Sequence, residues 1–267
     1  LFRAHLDGTN LQKVIEVGDT RGRLHWSPDH AHIYVSRRVS DTNGDGEIGF
    51  GDGMSLTRVD PDGKNSKDLR AASPDTITIY EIDPEGRFIL GLRENYRGTN
   101  PRIVLFAPGQ KEELLAKAWA YYPIDASTGM LRTLKVDQNT DGRINFRDVG
   151  TLSFLDWKKK EQKPFDVTHV LRGPIKTSKG LLYAQLKSAE EEKIPGLLDN
   201  TTLIQCDSNG KNPKAIIEPD SIWIPLKEIN GSVLLHRTRG DRTEFGLLTN
   251  GTEWKPLWKA PKGTQVG

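Results

Sequence analysis

Asp41, Asn43, Asp45 and Asp52 place oxygen-bearing side chains at positions 1, 3, 5 and 12 of a twelve-residue stretch. Asp137, Asn139, Asp141 and Asp148 repeat that arrangement further along the chain. Carboxylate and amide oxygens in this order are what a hard cation with about six to eight oxygen ligands requires. Position 7 would lend its backbone carbonyl, which leaves the side chains of Glu47 and Arg143 free to differ. Position 9, Gly49 or Asn145, often acts through water. Gly46 and Gly142 at position 6 permit the sharp bend, and Ile48 and Ile144 at position 8 are expected to tie each loop to the core. Asp, Asn and Gly also make ordinary turns. Two copies that agree at each of these positions favour two calcium sites, one per loop.

The loops resemble dockerin-type and EF-hand calcium loops, with Asp in place of the more usual Glu at position 12. The flanks differ from that family. Met54–Val59 and Thr151–Leu155 follow the loops and alternate like strands, where a dockerin or EF-hand continues into a helix. The loops are therefore expected as insertions in β-hairpins. The helical surface that the resemblance would use to bind cohesin is missing.

The elements that must carry the loops are strands. Helical periodicity is nearly absent, and short β-rich runs alternate with Gly, Pro, Asp and Asn roughly every eight to twelve residues. The punctuation recurs as Trp26-Ser27-Pro28-Asp29-His30, Val59-Asp60-Pro61-Asp62-Gly63, Ile82-Asp83-Pro84-Glu85-Gly86 and Cys206-Asp207-Ser208-Asn209-Gly210. Aligning these turns gives a period of roughly 40 to 50 residues, the mark of propeller blades. The expected fold is an all-β β-propeller of four-stranded antiparallel blades in a single domain, 1–267. Its blades are 22–71, 76–117, 118–168, 170–218 and 221–261. Residues 1–18 read as the two outer strands of a further blade. Five blades and a half-blade predict a six-bladed ring whose missing inner strands come from outside this stretch of chain. Both loops fall between second and third strands, hence on one face and two blades apart. The acidic insertion around Glu190–Glu192 is expected on that face too.

The repeats resemble the TolB-like (PD40, WD40-like) β-propeller family. Leu6-Asp7-Gly8-Thr9-Asn10 followed by His25-Trp26-Ser27-Pro28-Asp29 carries the resemblance, and Val59–Asn65 repeats part of it. His30 stands where the family has Gly. Trp26 is expected to pack between blades, as are Trp119 and Trp223 at the starts of inner strands. Some members of such a family are lyases that hold a transition metal with inward-facing His, and His25 and His236 would fall on inner or second strands. His30 and His32 flank a turn and are expected in solvent.

The composition narrows the function. Net charge is +2 with both signs mixed along the chain, so there is no basic face for nucleic acid. No apolar run is long enough to span a bilayer. The single cysteine, Cys206, excludes an intrachain disulfide and reads as a buried small hydrophobe. Lys158–Lys160 reads as a solvated hairpin tip, and Asn200, Asn230 and Asn250 as turns despite their N-x-S/T context. No G-x-S-x-G elbow or phosphate loop is present, so neither catalytic residues nor a bound organic cofactor are expected. The reading is a non-enzymatic, calcium-stabilised propeller. It serves as a protein-interaction or scaffold domain of a larger protein or assembly, in a periplasmic, cell-surface or secreted location. The alternatives are a TolB-like lyase or hydrolase with its site in the central channel, and a carbohydrate-binding module with exposed Trp platforms.

Overall fold

The computed structural model describes residues 1–4, 9–18, 24–49, 51–94, 99–125, 127–134, 150–186, 201–217, 221–239 and 242–260. They hold strands and no helix. The chain divides into two compact units, Leu1–Tyr121 and Tyr122–Gly267.

The first unit opens with a two-stranded sheet of β1 (Phe2–Arg3) and β2 (Gln12–Lys13). Blade one follows as β3 (Leu24–Trp26), β4 (Ile33–Arg37), β5 (Met54–Val59) and β6 (Lys67–Ser73), each antiparallel to the one before. Blade two is β7 (Asp75–Ile82), β8 (Phe88–Glu94), β9 (Thr99–Phe106) and β10 (Glu113–Ala116). In the second unit a seven-stranded sheet comprises β11 (Ala120–Pro123), whose first two residues still belong to the first unit, β12 (Thr128–Thr133), β13 (Gly150–Asp156), β14 (Glu161–Thr177), β15 (Gly180–Leu186), β16 (Thr201–Cys206) and β17 (Lys214–Ile217). The last blade is β18 (Ile222–Ile229), β19 (Ser232–Arg239), β20 (Arg242–Thr249) and β21 (Glu253–Lys259). The strand order is that of a β-propeller: five four-stranded blades and one of two strands.

Where blade 118–168 gives way to blade 170–218, β14 runs on unbroken. Val170 pairs with Gly150 on one side and with Gln185 on the other. The strand is the outer strand of one blade along its first half and the inner strand of the next along its second. Register shifts around Val170 and Arg172 bend it between the two sheets.

The turns explain why the repeat is real. In the turn from β5 to β6, Gly63 N–H donates to the Asp60 carbonyl at 2.9 Å and Asn65 adopts φ 51°. Asn65 Nδ2 donates to Asp60 Oδ2 at 2.7 Å. The turn from β16 to β17 is the same device: Gly210 N–H reaches Asp207 O at 2.8 Å, and Asn212, at φ 54°, donates to Asp207 Oδ2 at 2.8 Å. Asn tolerates the left-handed region because its short polar side chain bonds locally. Asn10 has φ 55° at the equivalent place, which marks β1 and β2 as a third and a fourth strand. His30 takes φ 57° where the repeat favours Gly.

Within each unit, cores lie between neighbouring sheets. Val14 and Ile15, just beyond β2, pack with Ile33, Val35 and Val59 of blade one. On the other side of blade one, Tyr34, Met54 and Leu56 meet Ile77, Ile79, Phe88, Leu90 and Leu92 of blade two. Tyr34 and Phe88 meet edge to face at 4.9 Å. In the second unit Leu181 and Tyr183 join the core with Met130 and Phe165, whereas Leu182 points the other way, to Trp223, Val233 and Leu248. Second strands covered on both faces lose the apolar–polar alternation, which is why Phe88–Leu92 and Leu181–Ala184 are almost continuously apolar. Cys206 is 3% exposed within this packing, and burial pushes its thiol up to about 11. That protonated thiol is inert at neutral pH, in line with a structural role.

Arginines near the far ends of second strands clamp tryptophans. The Arg93 guanidinium lies 5.0 Å from the Trp119 ring centre, and its Nη2 donates to the Trp119 carbonyl at 2.8 Å. Arg237 lies 4.8 Å over Trp223 and donates from Nε to Ser221 Oγ at 2.9 Å. Trp119 and Trp223 are buried, as expected for inner-strand starts. Trp26 is not: it is 45% exposed, with its ring 6.2 Å from His30. It ends the short β3, which forms the edge of its sheet, and shares an exposed face with Leu24. His32 also departs from expectation. Its Nδ1 lies 2.8 Å from Asp60 Oδ1 and joins the two turns at that end of blade one. Lys158–Lys160 form an exposed turn, and Asn230 and Asn250 take φ 50° and 53° in Asn-Gly turns. Asn200 and the acidic run Glu190–Glu192 lie outside the described residues.

Candidate functional site

The first predicted loop lies between β4 and β5 and is described except for Phe50. Its oxygen side chains are held by the loop's own amides. Asp41 Oδ1 accepts from Gly44 N–H at 2.6 Å and Asp41 Oδ2 from Gly46 N–H at 2.8 Å. Asn43 Oδ1 accepts from Asp45 N–H at 2.9 Å, and Asp45 Oδ1 from Glu47 N–H at 2.9 Å. Asp52 Oδ1 accepts from Thr42 N–H at 2.6 Å and Asn43 N–H at 3.2 Å, while its Oδ2 accepts from Gly49 N–H at 2.8 Å. Gly44 and Gly46 have φ 78° and 87°, a region L-residues avoid, so both bends need glycine.

Asp52 anchors the loop. It is 2% exposed, and its backbone carbonyl accepts from Nε of Arg38, also 2% exposed, at 2.8 Å. Gly53 N–H donates to Thr42 Oγ1 at 2.6 Å, which closes the loop's two ends on each other. Ile48, expected as the apolar tie to the core, is 52% exposed. The polar pair Asp52–Arg38 holds the loop where an apolar side chain was expected to.

The Gly49 N–H, helped by those of Thr42 and Asn43 and opposed by burial, holds the Asp52 carboxyl below the usual carboxylate range. The folded state therefore binds this proton more weakly than the unfolded chain. The resulting stabilisation is complete above the unfolded value of about 4 and is lost as pH falls through the lower folded value. Asp52→Asn puts an amide donor against amide donors, so the metal-free variant is expected to be less stable at pH 7. That gap should narrow below about pH 4. Urea midpoints of the two proteins at pH 7 and pH 3 measure it, and a constant gap would reject the assignment.

Among the described residues no group of three or more His, Cys, Asp or Glu side chains is gathered as a metal-holding cluster. The loop carboxylates instead face the amides named above. The donor types still suit a hard cation. An ionised carboxylate has about four acceptor sites, so Asp41 and Asp45 keep lone pairs beyond those amide bonds. The second loop, with Asp137, Asn139, Asp141, Arg143 and Asp148, lies outside the described residues. So do His5, and the side chain of His169. His25 lies on β3 and His236 on β19, the inner and second strands expected of them. His236 stacks on Phe245 at 4.9 Å, and Phe245 meets Trp258 at 5.7 Å, a cross-strand aromatic row that sequence reading missed. Direct register of His236, Phe245 and Trp258 is the signal that would have found it.

No protein-family profile matches the sequence, and no curated protein matches it. Solved structures do resemble it in fold. A prolyl endopeptidase aligns over 96% of this chain and 37% of its own, at 12% identity and TM-score 0.63. A TolB candidate from Agrobacterium tumefaciens aligns over 88% of this chain and 79% of its own, at 12% identity and TM-score 0.56. An oligogalacturonate lyase solved with manganese aligns over 88% of this chain and 64% of its own, at 11% identity and TM-score 0.56. The chain thus spans well under half of the endopeptidase and just under two thirds of the lyase. At these identities the likeness is one of fold: a β-propeller similar to TolB and to the propellers of enzymes. Among the described residues no helix is long and apolar enough to cross a membrane.

Proposed function

We propose that this chain is a calcium-stabilised β-propeller. It acts as a non-enzymatic protein-interaction or scaffold domain of a larger protein or assembly outside the cytoplasm. The observation that carries the reading is the loop 41–52. Its side-chain oxygens stand at positions 1, 3, 5 and 12, with glycines at both bends and amides orienting the carboxylates. Asp41, Asn43, Asp45, Asp52 and the carbonyl of Glu47 would hold the ion in this loop. Asp137, Asn139, Asp141, Asp148 and the carbonyl of Arg143 would do so in the second. Bound calcium would supply charge neutralisation and cross-linking, and no bond is made or broken. The chain's own part is to converge charges that otherwise repel, and to pass that order to the hairpin through Asp52.

An ion present at about 100 times its Kd adds roughly 2.7 kcal/mol per site. Extracellular calcium modules bind near 10⁻⁴–10⁻³ M, and the extracytoplasmic placement draws on this and on the TolB-like fold. For the partner surface, β21 offers exposed Leu257 and Trp258 beside exposed Lys255 and Lys259. The enzymatic neighbours bear on the fold alone.

Calorimetric titration of the metal-stripped protein with calcium tests the reading. Two sites are expected, one abolished by Asp45→Ala and the other by Asp141→Ala. The absence of heat, with melting unaffected by chelator, would remove calcium from the proposal.

A further inference from the structure

We infer that Arg38 is a positioning residue that couples the loop 41–52 to the segment following β2, so that a cation in the loop orders residues 14–18. This rests on the calcium reading of that loop.

The chain leaves β4 at Arg37, passes Arg38 into the loop, and returns at Asp52 to the Arg38 guanidinium. The Nε–H···O=C bond is 2.8 Å, and both residues are 2% exposed. A charge-assisted hydrogen bond buried this deeply is strong when made and costly when its acceptor moves away. The backbone of Arg38 is bound on the other side. Its N–H donates to the Val17 carbonyl at 3.1 Å. Gly18, at φ 64°, lies so close that a Cβ there would stand 1.9 Å from the Arg38 carbonyl oxygen. Val17 packs on the Val14, Ile15, Ile33, Val35 and Val59 core. Asp52 is thus both the last ligand position of the loop and the neighbour of the residue that seats this segment. Order imposed on the Asp52 carboxylate reaches its own carbonyl through one residue of backbone, and reaches Val17 and Gly18 through Arg38.

Hydrogen exchange of the whole chain, metal-stripped and calcium-loaded, tests this. Amides of 11–18 should slow by at least about tenfold, out of the roughly hundredfold that mass action permits at 100 times Kd. Amides of 41–52 should slow as well, and those of 99–106 in blade two should change far less. In Arg38→Lys calcium should still protect 41–52 while protection of 11–18 falls away. Equal calcium protection of 11–18 in wild type and variant would overturn the inference and leave the calcium reading standing. If Arg38→Lys fails to fold, wild type alone decides: protection of 11–18 no greater than that of 99–106 overturns it. Unchanged exchange in both segments together with no heat of calcium binding would overturn the loop reading itself.

Discussion

Gly53→Ala lowers the stability of the first unit by about 3 kcal/mol or more, at the upper end of what overpacking costs. Gly53 follows the loop and starts the hairpin's return into β5. An added Cβ would stand 1.3 Å from the Ser73 carbonyl oxygen, 2.1 Å from its carbon and 2.8 Å from Pro74 N. All three are backbone atoms, so no rotamer change relieves the clash. The end of β6 would have to leave β5, where Met54 pairs with Ser73. That movement would disturb Met54 and Leu56 in the core shared with blade two. Gly44→Ala is the contrast. No atom lies within 4 Å of its added Cβ, and only the φ of 78° is unfavourable, at about 1–2 kcal/mol. Urea unfolding of both variants measures the two costs, and equal losses would reject the steric account.

The second large effect is expected at Trp223. Trp223→Ala should cost the second unit about 3–5 kcal/mol, the range for deleting a buried aromatic side chain. Trp223 is 3% exposed, meets Trp254 edge to face at 5.1 Å, and lies under the Arg237 guanidinium. Its removal leaves a void between Leu182 and Leu203 on one sheet and Val233, Leu235 and Leu248 on the next. Gly246 contributes to the fit. A Cβ at Gly246 would stand 2.4 Å from the Lys255 carbonyl oxygen and 2.6 Å from the Trp254 ring, so the ring fits against this strand because the position is glycine. Trp223→Phe should be far milder, under about 1.5 kcal/mol, because it keeps an aromatic ring and removes an indole N–H that is buried with no hydrogen-bond partner among the described residues. Calorimetric melting separates the outcomes, and a Phe variant as unstable as the Ala variant would show that the indole N–H is satisfied after all.

The sequence by itself determined the strands, the turns between them and the two outer strands that open the chain. Alternation of apolar residues and the Asp, Gly and Asn chemistry of turns act within a few residues, so they are readable without knowing what lies across the sheet. The order of oxygen donors in the loop 41–52 is legible for the same reason: a dozen consecutive residues contain it. Tertiary structure decided what depends on residues far apart in the chain. Ile48 and Trp26 have the composition of core residues, but burial is conferred by a neighbouring surface, and at those two places no described residue covers them fully. β14 serves two blades because the sheets on either side both claim its backbone, which no local pattern around Val170 encodes. Arg38 meeting Asp52 and Gly53 touching Ser73 arise only when a hairpin closes over an inserted loop. Glycine at position 53 reads as loop composition until the carbonyl it must clear is in place.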